Sequence, residues 1–189
     1  MKSDTEILVI SGMSGAGRST IAHRLEDLGW YVVDNLPPAL LGNLIELVST
    51  SVKKVAVVID VRGRAFFDDL TKSLAELADL GISRKILFVD AADDSLVRRF
   101  ESTRRPHPLQ GADRILDGIA KERERLHEIR DSADLIIDSS ALNIHQLEKK
   151  ISDYFHEDSG SDLRVNILSF GYKYGLPVDA DLVVDCRFI

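Results

Sequence analysis

One stretch, Gly12-Met13-Ser14-Gly15-Ala16-Gly17-Arg18-Ser19, constrains this chain more than any other. It follows the apolar run Ile7-Leu8-Val9-Ile10. It precedes a pattern that places Ile21, Ala22, Leu25 and Leu28 on one helical face. Strand, glycine-rich turn and helix, in that order, is the context of a phosphate-binding loop. Glycine lets the backbone curl around an anion because no side chain blocks the approach. The loop N–H groups and the positive end of the helix then point at one spot. The spacing is that of GxxxxGK[ST] except at Arg18, which stands where lysine is expected.

The rest of the chain alternates strand-like and helical patterns. Apolar runs lie at Ile7–Ile10, Trp30–Val33, Val55–Ile59, Lys85–Val89 and Leu135–Ile137. Most lack polar alternation, which fits strands buried on both faces of a parallel sheet. Helical periodicity covers Ala39–Ser49, Phe66–Leu80, Asp93–Arg104, Asp113–Arg130 and Asn143–Phe155. This alternation predicts an α/β fold: a three-layer sandwich around a parallel sheet, with right-handed crossovers.

The polar segment His156-Glu157-Asp158-Ser159-Gly160-Ser161-Asp162 reads as a break. Beyond it, Arg164–Phe170 and Leu182–Ile189 read as two further strands around Gly171-Tyr172-Lys173-Tyr174-Gly175. The expected organisation is a phosphate-loop domain over 1–156, a linker over 157–163, and the start of a C-terminal domain over 164–189. One or two strands cannot bury a core alone. The tail is therefore expected to open a domain that continues beyond Ile189; the other reading pairs its strands with the main sheet. The Gly-bounded segment reads as a tight connection within the next domain; the alternative is a binding loop, with Lys173 and Tyr174 as its most useful side chains.

The net charge of −7 argues against broad nonspecific binding of nucleic acid or anionic membrane. Cys186 is the single cysteine and excludes an intrachain disulfide. No apolar run reaches membrane-spanning length, and the start has no signal-peptide pattern, so a cytoplasmic location is expected.

Acids stand where strands end: Asp34, Asp60, Asp90 and Asp138. In an open parallel sheet, ligands bind beyond the carboxyl ends of the strands. Each of these acids also suits a helix cap or surface charge, most of all Asp90 and Asp138. Val55-Ala56-Val57-Val58-Ile59-Asp60 is an apolar strand ending in Asp, the Walker B arrangement. There a carboxylate orients magnesium, with the loop hydroxyl of Ser19 as the other protein ligand. Asp34, before Asn35-Leu36-Pro37-Pro38, suits orienting a nucleophile or simply shaping the turn. Arg18 neutralises phosphate charge in this reading. Arg62 and Arg64, and the pair Arg104 and Arg105 ahead of Pro106-His107-Pro108, can bind phosphates bidentately; solvated helix-end arginines are the bland alternative. His107 between prolines reads as structural.

Five ordered motifs resemble one family closely. They are the Gly12–Ser19 loop, Val33-Asp34-Asn35-Leu36-Pro37, Asp60-Val61-Arg62, Thr103-Arg104-Arg105-Pro106-His107-Pro108-Leu109 and Phe170-Gly171-Tyr172-Lys173-Tyr174-Gly175. The chain resembles the RapZ/YvcJ family of P-loop nucleotide-binding proteins, also called RNase adapter proteins. The resemblance implies an N-terminal kinase-like P-loop domain with ATPase and GTPase activity. It maps ATP contacts onto Gly12, Met13, Ser14, Gly15, Ala16, Gly17, Arg18 and Ser19. It maps a GTP segment onto Asp60, Val61, Arg62 and Gly63. It also implies a longer protein, whose C-terminal domain binds small RNA and an amino-sugar phosphate in one enterobacterial member.

The resulting expectation is a magnesium-dependent ATP- and GTP-hydrolysing protein, coupled to an RNA or protein partner as a nucleotide-gated adapter, with homo-oligomerisation left open. The alternative is a small-molecule kinase that transfers the γ-phosphate to a metabolite hydroxyl near Asp34.

Overall fold

The computed structural model describes residues 5–48, 51–59, 70, 72–77, 82–155, 168–177, 180 and 182–185. The chain opens with strand β1 (Glu6–Gly12), helix α1 (Arg18–Asp27) and strand β2 (Tyr31–Val33). A single 3-10 turn, Pro38–Leu40, leads into α2 (Leu41–Val48), followed by β3 (Lys54–Val58). Residues 72–77 are helical and form α3. Then come β4 (Arg84–Asp90), α4 (Asp93–Thr103), α5 (Ile115–Asp131), β5 (Leu135–Asp138) and α6 (Ile144–Phe155).

The five strands form one sheet in the order β2-β3-β1-β4-β5, with every described pairing parallel. β1 is central: Leu8 pairs with Ala56 on one side and with Lys85 on the other. Its residues from Ile7 to Gly12 are all buried, which explains the continuous apolar run. The crossover from β1 to β2 runs one way along the sheet. Those from β2 to β3, β3 to β4 and β4 to β5 run the other way. Right-handed crossovers therefore place α1 on one face and α2 to α5 on the other. α6 returns to pack on α1. The order reverses at β1, so the loop that follows it emerges at the switch point of the sheet, where α/β folds bind ligands.

The helical stripes explain the layers. α1 buries Ile21, Ala22 and Leu25; α6 buries Leu147 and Ile151. Each fully buried aliphatic side chain contributes roughly 1.5–3 kcal/mol. Arg24 Nε donates to Ser152 Oγ at 2.7 Å, and Trp30 meets Phe155 edge to face at 5.6 Å, fixing the end of α6. On the other face, Ser73 Oγ in α3 donates to the Pro38 carbonyl at 3.1 Å. Asp90 clamps α5 to the end of β4. It accepts from Arg123 Nη1 at 2.9 Å and from Arg130 Nε at 3.1 Å. Burial opposes the charge on Arg123, but Asp93 and Asp90 outweigh it and raise its pKa. Asp138 accepts from Ser140 N–H and Oγ–H, an ordinary turn closure.

The strand and helix periods over the first 155 residues match the observed elements where these are described. Most of the expected helix over Phe66–Leu80 lies outside the described residues. The tail differs from its expected strands. Residues 168–170 and 182–185 are not strands, and Tyr172–Tyr174 is a 3-10 turn. An apolar run alone does not make a strand, which also needs a paired neighbour to satisfy its backbone. Leu168, Leu182 and Val184 are accordingly exposed. Residues 164–167, 186–189 and the 157–163 linker lie outside the described residues.

Candidate functional site

The phosphate loop is shaped from its first residue. Gly12 has φ +147°, and a Cβ there would stand 2.2 Å from the Val89 carbonyl oxygen. Only glycine lets β1 and β4 stay this close while the chain turns. Met13 N–H then donates back to Val89 O at 2.9 Å, and the Met13 side chain is buried. Gly17 (φ +112°) makes the second turn and forms the N-cap of α1.

Three side chains from distant elements fix the loop between these turns. Glu122 of α5 is fully buried. It accepts from Ser14 N–H at 2.9 Å and from Ser14 Oγ–H at 2.6 Å. Arg99 of α4 donates to the Gly15 carbonyl at 3.0 Å. Ser139, just past β5, donates to the Ala16 carbonyl at 2.7 Å and is itself held by Arg99. Ala16 N–H is taken by Met13 O at 3.0 Å. Among the described residues, the N–H groups of Gly15, Gly17, Arg18 and Ser19 meet no acceptor. These four donors, at the positive end of α1, form a cradle for an anion.

Arg18 opens α1 and is half-buried. Burial pulls its guanidinium below the usual arginine range, while the carboxylates of Glu122 and Asp34 push the other way. Asp34 is exposed at the end of β2, before Asn35 in the left-handed region (φ 56°), and its field reaches Arg18. The structure thus brings Asp34, Arg18 and the loop to one edge of the sheet. Ser19 is exposed at the first turn of α1. Asp60, Val61, Arg62, Gly63 and Arg64 lie outside the described residues. Among the described residues, no cluster of three or more His, Cys, Asp or Glu side chains is poised for a metal ion.

Beside the cradle opens a cavity of about 700 Å³. Gly15 and Gly17 of the loop with Thr20 of α1 form one wall; Arg99 and Phe100 of α4 form another; Leu142, in the turn before α6, and Ile144, its first residue, lead a third. This size suits a nucleoside-scale ligand, with apolar walls and a few polar groups at the edge. Ser102 and Thr103 stand at its rim, where α4 ends at Arg104 (φ 53°). Arg104 and Arg105 are exposed there. Arg99, Ser139, Glu122 and the cavity wall of 142–147 escaped the sequence reading. Arg99 looks like one more solvated helix arginine, and only the packing of α4 against the loop reveals its contacts.

Arg99 links the loop to the cavity, so its loss should be felt at both. Arg99→Ala removes donors to Gly15 and Ser139 and one cavity wall. The expected outcome is nucleotide binding weakened about tenfold, a loss of about 1.4 kcal/mol, with the fold retained. Calorimetric titration alongside a melting curve checks this, and unchanged affinity would sink it.

Residues 5–159 match the model for the RapZ-like N-terminal domain, and residues 163–189 match the RapZ C-terminal domain. The chain belongs to the RapZ family. Its similar relatives in this family include a nucleotide-binding protein of Streptomyces griseus, 61% identical over 187 residues. That match covers 97% of this chain and 56% of the relative. A Streptomyces coelicolor nucleotide-binding protein is also 61% identical, with 97% and 62% covered. The chain thus spans less than two thirds of the length of these RapZ-family relatives.

Solved structures extend the likeness to P-loop kinases. The tunicamycin resistance protein of Deinococcus radiodurans superposes with a TM-score of 0.55 at 18% identity, covering 80% of this chain and 96% of that one. Shikimate kinase from Acinetobacter baumannii gives 0.53 at 12% identity, covering 80% and 93%. At such identities the likeness concerns the fold alone, a kinase-like P-loop sandwich. Among the described residues, no helix is long and apolar enough to cross a membrane.

Proposed function

We propose that this chain binds purine nucleoside triphosphates and hydrolyses ATP and GTP slowly. The observation that supports this most is the fixed loop with four unused N–H donors beside a nucleoside-sized cavity. Relatives above 55% identity carry the name nucleotide-binding protein. In this reading the β-phosphate lies on the N–H groups of Gly15, Gly17, Arg18 and Ser19, and the base enters the cavity between Phe100 and Leu142. Arg18 sits where a guanidinium offsets β/γ charge. Ser19 and Asp60 are the residues that would hold magnesium, which supplies charge neutralisation on the phosphates when bound. Asp34 orients the attacking water. Arg104 and Arg105 assist with the phosphates, and Asp60, Val61, Arg62 and Gly63 are the GTP segment that the family resemblance implies. The adapter role, an RNA or protein partner and self-association belong to the longer protein. The 1–156 and 164–189 division serves that arrangement.

Arginine keeps the positive charge of the loop but is bulkier than lysine and carries a planar fork. Binding should therefore survive while turnover stays below that of a lysine-bearing loop. The test titrates the protein with ATP and GTP and follows phosphate release, for the wild type and Arg18→Lys. The expected result is binding in both, with faster turnover in Arg18→Lys. Equal or slower turnover removes the brake assigned to Arg18, and no binding by the wild type removes the whole reading.

A kinase reading stays as the second. Its support is the placement of Asp34, exposed at the end of β2 and within the field of Arg18. A phosphorylated metabolite formed alongside ADP would favour it over hydrolysis.

A further inference from the structure

A buried chain of polar groups runs from the phosphate loop to the segment that carries Arg104 and Arg105. Its centre is Glu122, with no exposed surface. One carboxylate oxygen accepts from Ser14 Oγ–H at 2.6 Å. The other accepts from Ser14 N–H at 2.9 Å and meets His107 Nε2 at 3.1 Å. The His107 tautomer follows from its other nitrogen: Leu109 N–H donates to Nδ1 at 3.1 Å, so Nε2 carries the proton. The His107 ring also lies against Phe100, 4.9 Å between centroids. Gly118 leaves no room behind it, since a Cβ there would stand 2.6 Å from Nδ1. A carboxylate this deep is costly unless several donors hold it, and here all three come from two loops.

The phosphate loop lines the cavity through Gly15 and Gly17, and Ser102 and Thr103, the last residues before the second loop, line it as well. Chain direction changes sharply at Arg104, which takes the left-handed conformation (φ 53°) usually left to glycine or asparagine. Two residues past Arg105 the chain dives into the core at His107, pinned between Pro106 and Pro108. The arginines therefore stand on a short arm whose foot rests on Glu122, and Glu122 rests on Ser14.

We propose that Glu122 is a positioning residue that couples the two: an anion held by the phosphate loop orders the Arg104–Arg105 arm through Ser14, Glu122 and His107. This rests on the nucleotide reading above, and it adds a conformational link that the loop motif alone does not contain. Rigid contacts with discrete partners carry such coupling, whereas mere proximity does not.

The test uses trypsin on the full chain, with ATP as the probe. Cleavage at the Arg104–Arg105 bond reports the arm, because the Arg105–Pro106 bond resists the protease. Saturating ATP slows this cleavage in the wild type by about fivefold or more. Glu122→Met keeps the length of the side chain and removes both accepting oxygens. It binds ATP more weakly, as measured by calorimetry, yet even at saturating ATP the bond is no longer protected. His107→Phe keeps the ring against Phe100 and cuts the chain at its other end, with the same loss of protection. His107→Gln, whose amide places a donor near the Nε2 position, restores it. The idea is overturned if saturating ATP protects the bond as strongly in Glu122→Met and His107→Phe as in the wild type. It is overturned equally if ATP binds the wild type without changing cleavage. If the wild type binds no ATP, the nucleotide reading fails together with the coupling.

Discussion

Gly12→Ala will leave little folded protein. The new methyl group would stand 2.2 Å from the Val89 carbonyl oxygen, 2.7 Å from its nitrogen and 2.9 Å from its carbonyl carbon. All three are backbone atoms of the strand next to β1, so no side chain can swing aside. The φ of +147° adds strain for any residue with a Cβ. Relief requires β1 and β4 to separate in the middle of the sheet, where Ile10 pairs with Leu87 and Gly12 with Val89. A loss above about 4 kcal/mol is expected, a large share of the about 5–15 kcal/mol that holds a domain together. Urea unfolding and far-UV circular dichroism measure it. Gly111→Ala is the control. Its φ is +60° but nothing lies within 4 Å of the new Cβ, so only about 1–2 kcal/mol of left-handed strain is expected. Equal effects at the two positions would refute the packing argument.

Gly118→Ala should destabilise although helix propensity predicts the reverse. Gly118 lies inside α5, where alanine is favoured over glycine by about 1 kcal/mol. The space around it decides otherwise. A Cβ would stand 2.6 Å from His107 Nδ1 and 3.0 Å from the backbone of Gln110. His107 cannot retreat, because Leu109 N–H, Glu122 and the Phe100 ring hold it. Overpacking of this kind costs about 1–3 kcal/mol, which outweighs the propensity gain. The expected result is a lower urea midpoint together with faster trypsin cleavage at Arg104. A raised midpoint would show that the 107–110 segment moves freely.

These two glycines show what a single sequence exposes. Gly12 was legible, because glycine after an apolar run and before Gly15 and Gly17 is a local pattern with a local cause. Gly118 was not, because its reason lies eleven residues upstream in sequence, in a loop that only folding brings near. Glu122 reads as one more charge in Lys121-Glu122-Arg123-Glu124, a run that looks like a solvated helix face. Its burial depends on the angle at which α5 crosses beneath the phosphate loop. Arg99 and Ser139 were hidden for the same reason: their partners are main-chain carbonyls, which leave no mark in side-chain identity. The tail failed in the opposite direction. The apolar runs over 164–170 and 182–189 suggested strands, but the described residues 168–170 and 182–185 are not in strands; a local apolar pattern does not by itself supply the neighbour that pairing requires.

By itself the sequence determined the parallel sheet, the helix periods, the phosphate loop at the end of the first strand and the membership in its family. Each depends on residues close together in the chain, read through fixed periods of 2 and 3.6. Only the tertiary structure decided how the loop is held. Glu122, Arg99 and Ser139 come from three separate elements, and hydrogen bonds only a few ångströms long join them to residues 84 to 123 positions away. Such contacts depend on the packing of whole helices against the sheet, which no local period encodes.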